Sequence, residues 1–193
     1  KELLSLRHIS MPMENTYDKY GLFKRGADNG FVFGLYLTVL FFAMAYSLTV
    51  PMLGLIALAM MFAVPLITYH YLRKGYRAEY GTSTFSSLWM QGIVMFFCGS
   101  MIMALAVYLF LRFLHPGYMT DIIVLARDTY SSMDWERGQE IASTLDTMLE
   151  KHLIPTPIQV AMEVLWTGVF SGSLLSILTA LLVGATKRPQ TRS

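Results

Sequence analysis

Asn29–Leu72 reads NGFVFGLYLTVLFFAMAYSLTVPMLGLIALAMMFAVPLITYHYL and holds no fully charged residue over about 44 positions. One helix of that length would rise roughly 66 Å, about twice the hydrocarbon thickness of a bilayer, so the stretch must fold back once. Pro51 marks the reversal. It follows the β-branched pair Thr49-Val50, precedes Gly54 and suits the first turn of a new helix. The first span is therefore expected over about Gly30–Val50 and the second over about Met52–Leu72, joined by a very tight turn. Asp28 is placed to cap the first span. Pro65 removes one donor inside the second and crowds the carbonyl of Met61, which predicts a kink.

Two more spans follow by the same reasoning. The third runs from about Ser87 to Leu114 and ends at the breaker His115-Pro116-Gly117; the fourth opens at Pro155-Thr156-Pro157 and reaches about Ala185, where Lys187-Arg188-Pro189 closes it. The whole chain of 193 residues is 54% hydrophobic and only 15% charged, with a mean hydropathy of +0.47. That charge deficit excludes disorder and an ordinary soluble domain. The single cysteine, Cys98, excludes a disulfide scaffold or a thiolate zinc site, and reads as a small packing residue. A net charge of +2 gives no footprint for nucleic acid. The predicted fold class is an all-α integral membrane protein with four transmembrane helices.

Charge placement predicts the orientation. The N-terminal segment carries Lys1, Arg7, Lys19, Lys24 and Arg25, the loop between spans two and three Arg73, Lys74 and Arg77, and the tail Lys187, Arg188 and Arg192. Eleven of the fifteen basic residues thus fall on one side, which the positive-inside rule assigns to the cytoplasm. The opposite stretch holds seven acids (Asp121, Asp128, Asp134, Glu136, Glu140, Asp146 and Glu150) against Arg127, Arg137 and Lys151. The expected division is a cytoplasmic N-terminal segment 1–27, a membrane domain 28–186 with an outer, periplasmic insertion 118–154, and a cytoplasmic tail 187–193, all at a bacterial inner membrane. Residues 1–10 lack the apolar region of a signal peptide and read as leader or appended sequence, Met11 or Met13 being the natural start.

The insertion is itself patterned. Asp134–Leu153 places Trp135, Gly138, Ile141, Ala142, Leu145, Met148, Leu149 and Leu153 at helical spacing, and Ser131-x-x-Asp134 resembles a capping box ahead of it. Met119–Tyr130 is a second, shorter helical segment. Two amphipathic helices across the outer mouth of the bundle are expected, as a packed lid or as a docking face for a partner or lipid.

Three groups of residues stand out as candidate sites. Gly168, Gly172, Ser176, Ala180 and Gly184 form a small-residue ridge along the fourth span, repeated by Gly26, Gly30, Gly34 and Thr38 on the first. Such ridges permit close helix approach, either inside one bundle or against another polypeptide. Arg112 and Glu163 lie in the outer halves of spans three and four, where each charge alone is costly. They are expected to pair as an intramembrane lock or to line a ligand- or proton-handling cavity, unless Arg112 snorkels outward. Lys24, Arg25, Arg73, Lys74 and Arg77, among Tyr69, Tyr71, Tyr76 and Tyr80, are expected to contact anionic lipid headgroups, as general orientation and anchoring or as a specific phosphate-lipid site. His70, His115 and His152 have no paired-ligand spacing, and no P-loop, HExxH, GxSxG or paired-carboxylate motif is present. No catalytic residue, metal or cofactor is expected.

Lys19-Tyr20-Gly21, Tyr71-Leu72-Arg73, Phe85-x-x-Leu88-x-x-x-Gly92, and Gly168-Val169-Phe170-Ser171-Gly172 with the closing Lys187-Arg188 resemble a bacterial family of short four-span proteins, domain of unknown function 4199, found mainly in Bacteroidota. The resemblance covers nearly everything from Met13 to Arg188, and this chain's inner basic cluster is richer than the family pattern. The family brings no reaction and no catalytic residues. It does imply a gene neighbourhood of glycosyltransferases that use membrane-embedded lipid carriers, which is an association and fixes no residue.

The function expected from these readings is a non-enzymatic accessory or anchoring subunit of an inner-membrane complex, supporting a polyprenyl-phosphate-dependent glycosyltransferase. Its expected partners are anionic lipid and either a different membrane protein or further copies of the chain. The alternative is a small transporter or oligomeric channel with Arg112 and Glu163 lining the path. A lipid-modifying enzyme is a weaker third reading, since no nucleophile or acid–base pair is visible.

Overall fold

A computed structural model of the chain describes residues 11–78, 84–133 and 135–185. The described residues are helical, in the order α1 (Met11–Tyr46), α2 (Pro51–Ala78), α3 (Phe85–Leu109), a π-helical turn (Phe110–Leu114), α4 (Tyr118–Ser131), α5 (Glu136–Glu150) and α6 (Pro157–Ala185). Four stretches are long and apolar enough to cross a membrane: Phe23–Tyr46, Pro51–Arg77, Phe85–Leu114 and Pro157–Ala185. The four-span, all-helical reading holds.

Element boundaries differ where local chemistry was misread. Asp28 caps nothing: α1 starts far upstream and carries Asp28 as an exposed interior residue. The first span also stops at Tyr46, four residues early, because Ser47 turns its hydroxyl onto the Met44 carbonyl (2.6 Å) and the amides of Thr49 and Val50 both return to the Tyr46 carbonyl. Helix α2 begins at Pro51, as the proline's fixed φ favours, and continues through Pro65. Beside Pro65, the Tyr36 hydroxyl of α1 donates to the Met60 carbonyl (2.5 Å). An outside donor thus enters the turn in which proline breaks the backbone ladder.

The residues divide into two units, one built from the chain up to Met103 and from Leu165 onward, the other from Ala104–Val164. In the first unit α3 is the hub, and small residues set its contacts. A Cβ built on Gly26, Gly30 or Gly34 of α1 would meet Val94 (3.0 Å), Cys98 (2.7 Å) or Ile102 (2.9 Å). Each glycine faces the residue 68 positions further on, so α1 and α3 run parallel in constant register. On α6, Gly168 abuts Ser100, Gly172 abuts Phe96, and Ser176 abuts Gly92, an antiparallel register. The two α3 sets, 94/98/102 and 92/96/100, are offset by two residues, hence roughly 200° around the helix. Opposite faces of α3 therefore receive α1 and α6.

Phe33, Leu72, Leu88, Met95, Phe96, Ala180 and Val183 form the core of this unit, with Phe33 edge-on to Phe96 at 4.9 Å between ring centres. Buried hydroxyls are satisfied along their own helices: Thr68 on Val64, Ser176 on Gly172 and Thr179 on Leu175. The Ser100 hydroxyl and the Gln91 side-chain nitrogen are exceptions, buried with no hydrogen-bond partner.

In the second unit α4 and α5 pack on each other. Arg127 of α4 reaches Asp146 of α5 at 3.3 Å and its neighbour Asp128 at 2.7 Å. These bonds, Asp128 foremost, hold the guanidinium protonated more firmly than usual. Both short helices exist as expected, but the capping box does not. Ser131 closes α4, donating to the Asp128 carbonyl, while α5 starts after an extended Trp135 with no side-chain cap; Asp134 lies outside the described residues.

Candidate functional site

Helix α6 opens with Pro157 directly after Thr156, whose amide and hydroxyl both donate to the Gln159 side-chain oxygen at 2.8 and 3.0 Å. Upstream, α5 ends in a Schellman turn: the Leu153 amide returns to the Met148 carbonyl (2.9 Å) and the His152 amide to Leu149 (3.3 Å). His152 takes the left-handed position at φ 52°, one that favours glycine. These two terminations fix the walls of a hollow of about 820 Å³ lined by Met119, His152–Pro155, Gln159, Val160, Glu163 and Val164. Its wall is mostly apolar, and Glu163 supplies its carboxylate.

Arg112 is not part of that lining. It sits exposed in the π-helical turn. After the turn, Tyr118 meets Phe110 edge-on at 5.1 Å and His115 at 5.8 Å, and burial pushes the Tyr118 hydroxyl pKa up. His115 stands 3.9 Å from Asp121.

The small-residue ridge of α6 is spent on α3 through Gly168, Gly172 and Ser176; Ala180 is buried in the same unit, and Gly184 faces open space. The α1 ridge packs on α3 as well, through Gly26, Gly30 and Gly34. Thr38 turns back on the Gly34 carbonyl. Of the basic cluster, Lys24, Arg73, Lys74 and Arg77 are exposed at one end of the α1–α2 pair, Arg73 lying 5.8 Å from the Tyr69 ring centre. Arg25 is half-buried, with its Nε donating to the Gly21 carbonyl. Tyr80, Lys187 and Arg188 lie outside the described residues.

The family model described as protein of unknown function (DUF4199) matches residues 28–184. The chain belongs to the DUF4199 family. No curated protein and no solved structure matches it. The match leaves out Lys19-Tyr20-Gly21 and Lys187-Arg188, so the DUF4199 likeness resides in the spans and the segment between spans three and four, not in the basic ends. Among the described residues of this DUF4199 protein there is no group of three or more metal-ligating side chains.

Two features escaped the sequence reading. Thr156-x-x-Gln159 has the capping-box spacing, inside the Pro155-Thr156-Pro157 stretch that opens the fourth span. The second is an apolar groove of about 370 Å³ between α1 and α2, lined by Val32, Phe33, Tyr36, Leu66, Ile67, His70 and Tyr71. No local signal marks it, because it arises from how two helices meet.

Proposed function

We propose that this DUF4199 protein is a non-enzymatic accessory or anchoring subunit of an inner-membrane complex, with both termini cytoplasmic and residues 118–154 periplasmic. Its partner is a membrane enzyme that works on a lipid carrier, in line with the glycosyltransferase neighbourhood that the resemblance implies. One observation carries the reading. Gly26, Gly30 and Gly34 of α1 and Gly168, Gly172 and Ser176 of α6 pack on α3 within the chain, while the α4–α5 segment keeps Leu125, Met133, Trp135, Ile141 and Leu153 exposed outside the spans. Apolar side chains exposed beside acidic ones on a folded segment suit a protein partner.

The test is purification in mild detergent from the native membrane, followed by mass spectrometry of what stays bound. The subunit reading expects one stoichiometric membrane protein. It also expects Leu125→Glu with Ile141→Glu to release that protein while the melting temperature stays within a few degrees. Retention of the partner by the double variant moves the docking face off this segment, and absence of any partner removes the reading. The transport alternative draws on Glu163 in the hollow. It expects solute flux in proteoliposomes that Arg112→Ala and Glu163→Ala each abolish.

A further inference from the structure

The groove between α1 and α2 and the basic residues at its end are built by the same two helices. The Tyr36–Met60 bond and the groove lining, which sets 32, 33 and 36 of α1 against 66, 67, 70 and 71 of α2, show that the pair is antiparallel. That register brings Lys24 to the level of Arg73–Arg77. From Leu66 to Arg73 is roughly 10 Å along the helix, and from Val32 to Lys24 roughly 12 Å. A channel with an almost wholly apolar wall therefore runs toward a ring of cations about two turns away. Tyr36 closes the far end with its bond to Met60, and His70 and Tyr71 stand at the near end.

The charge is one-sided. Lys24, Arg73, Lys74 and Arg77 are all exposed, and the acid on the same stretches of α1 and α2 whose side chain is described is Asp28. An apolar slot of this size beneath a net-positive mouth is complementary to one chemistry: an acyl chain attached to an anionic phosphate headgroup. We propose that the α1–α2 groove is a specific binding site for one anionic phospholipid, its acyl chain lying between Val32, Phe33, Leu66 and Ile67 and its phosphate held by Arg73 and Lys74 with Lys24 and Arg77 around it. This differs from general attraction of basic residues to a membrane surface, which needs no groove. It also stands apart from the anchoring role, because it requires no protein partner.

The experiment is native mass spectrometry of the full chain in detergent with equimolar phosphatidylglycerol and phosphatidylethanolamine. Each cation removed should cost about fivefold in retention, so the unaltered chain is expected to retain phosphatidylglycerol about 25-fold over phosphatidylethanolamine. Arg73→Gln with Lys74→Gln should bring phosphatidylglycerol down to the phosphatidylethanolamine level. Val32→Trp and Leu66→Trp, one on each wall and both at exposed positions, fill the slot with every cation intact and should also lower retention severalfold. Lys151→Gln, in the other unit, should leave it unchanged. Equal retention of the two lipids by the unaltered chain overturns the proposal. Undiminished phosphatidylglycerol retention in either tryptophan variant overturns it too, since the cations then act as a surface charge without the groove.

Discussion

A methyl group added at Gly30 would place its carbon 2.7 Å from the Cys98 Cβ and 2.8 Å from the Met95 carbonyl oxygen. The second neighbour is backbone and cannot rotate away, so α1 and α3 must separate. At Gly184 the same methyl meets nothing within 4 Å. Gly30→Ala is therefore expected to lower stability by about 1–3 kcal/mol. Gly184→Ala should be neutral or gain up to about 1 kcal/mol from helix propensity; thermal unfolding in detergent separates them. Gly168 is different, because its obstacle is the Ser100 hydroxyl, which already lacks a hydrogen-bond partner. Ser100→Ala removes the unsatisfied group and the nearest obstruction, leaving the Cβ at 3.0 Å. It should be harmless or stabilising alone, and it should reduce the cost of Gly168→Ala, a coupling that a double-mutant cycle reads directly. Strict additivity would mean that α3 and α6 do not meet at this pair. The four-residue spacing of the ridges was plain in the sequence, but not what they face: the facing α3 residues include Phe96, Val94 and Ile102, which no small-residue pattern would select.

At the scale of elements, helix ends show where local chemistry was legible and where it was overridden. Pro51 and Pro157 open their helices as their fixed φ requires. Asp28 had the right side chain for a cap, yet the helix runs through it, since capping preference cannot stop a helix whose upstream residues also favour one. Between α5 and α6 the chain stops one helix with a Schellman turn and starts the next with the Thr156 amide and hydroxyl donating to the Gln159 side chain. Thr156→Ala should cost about 1 kcal/mol and Thr156→Ser much less, because the hydroxyl is what is lost. His152→Gly should act in the opposite sense, stabilising by roughly 0.5–1 kcal/mol as the left-handed strain is relieved. Both are measured by thermal unfolding. A destabilising His152→Gly would show that the imidazole's contacts in the hollow outweigh its backbone strain. The π-helical turn has no signature in the hydrophobic pattern of span three.

For the whole molecule, the registers on α3 make α1 parallel to it and α6 antiparallel, which is what alternate crossing by four successive spans demands. Alternation alone leaves two orientations, and the proposed one rests on the basic residues. The loop cations Arg73, Lys74 and Arg77 follow the apolar stretch of α2 directly, and Lys24 precedes that of α1, so they share one end of the spans. With the positive end cytoplasmic, cysteines placed at Arg25 and Gln190 should be shielded from an impermeant thiol reagent in whole cells, and one at Glu140 should be labelled. The background must be free of Cys98, and Cys98→Ala is the suitable replacement. The Cβ that packs against Gly30 is kept and only the sulfur is lost, so the α1–α3 register survives. Labelling at Arg25 and Gln190 with protection at Glu140 would invert the orientation. It would also carry the α1–α2 groove and its cations to the opposite leaflet without changing their chemistry, so a reversed topology would move the lipid site and leave its selectivity intact.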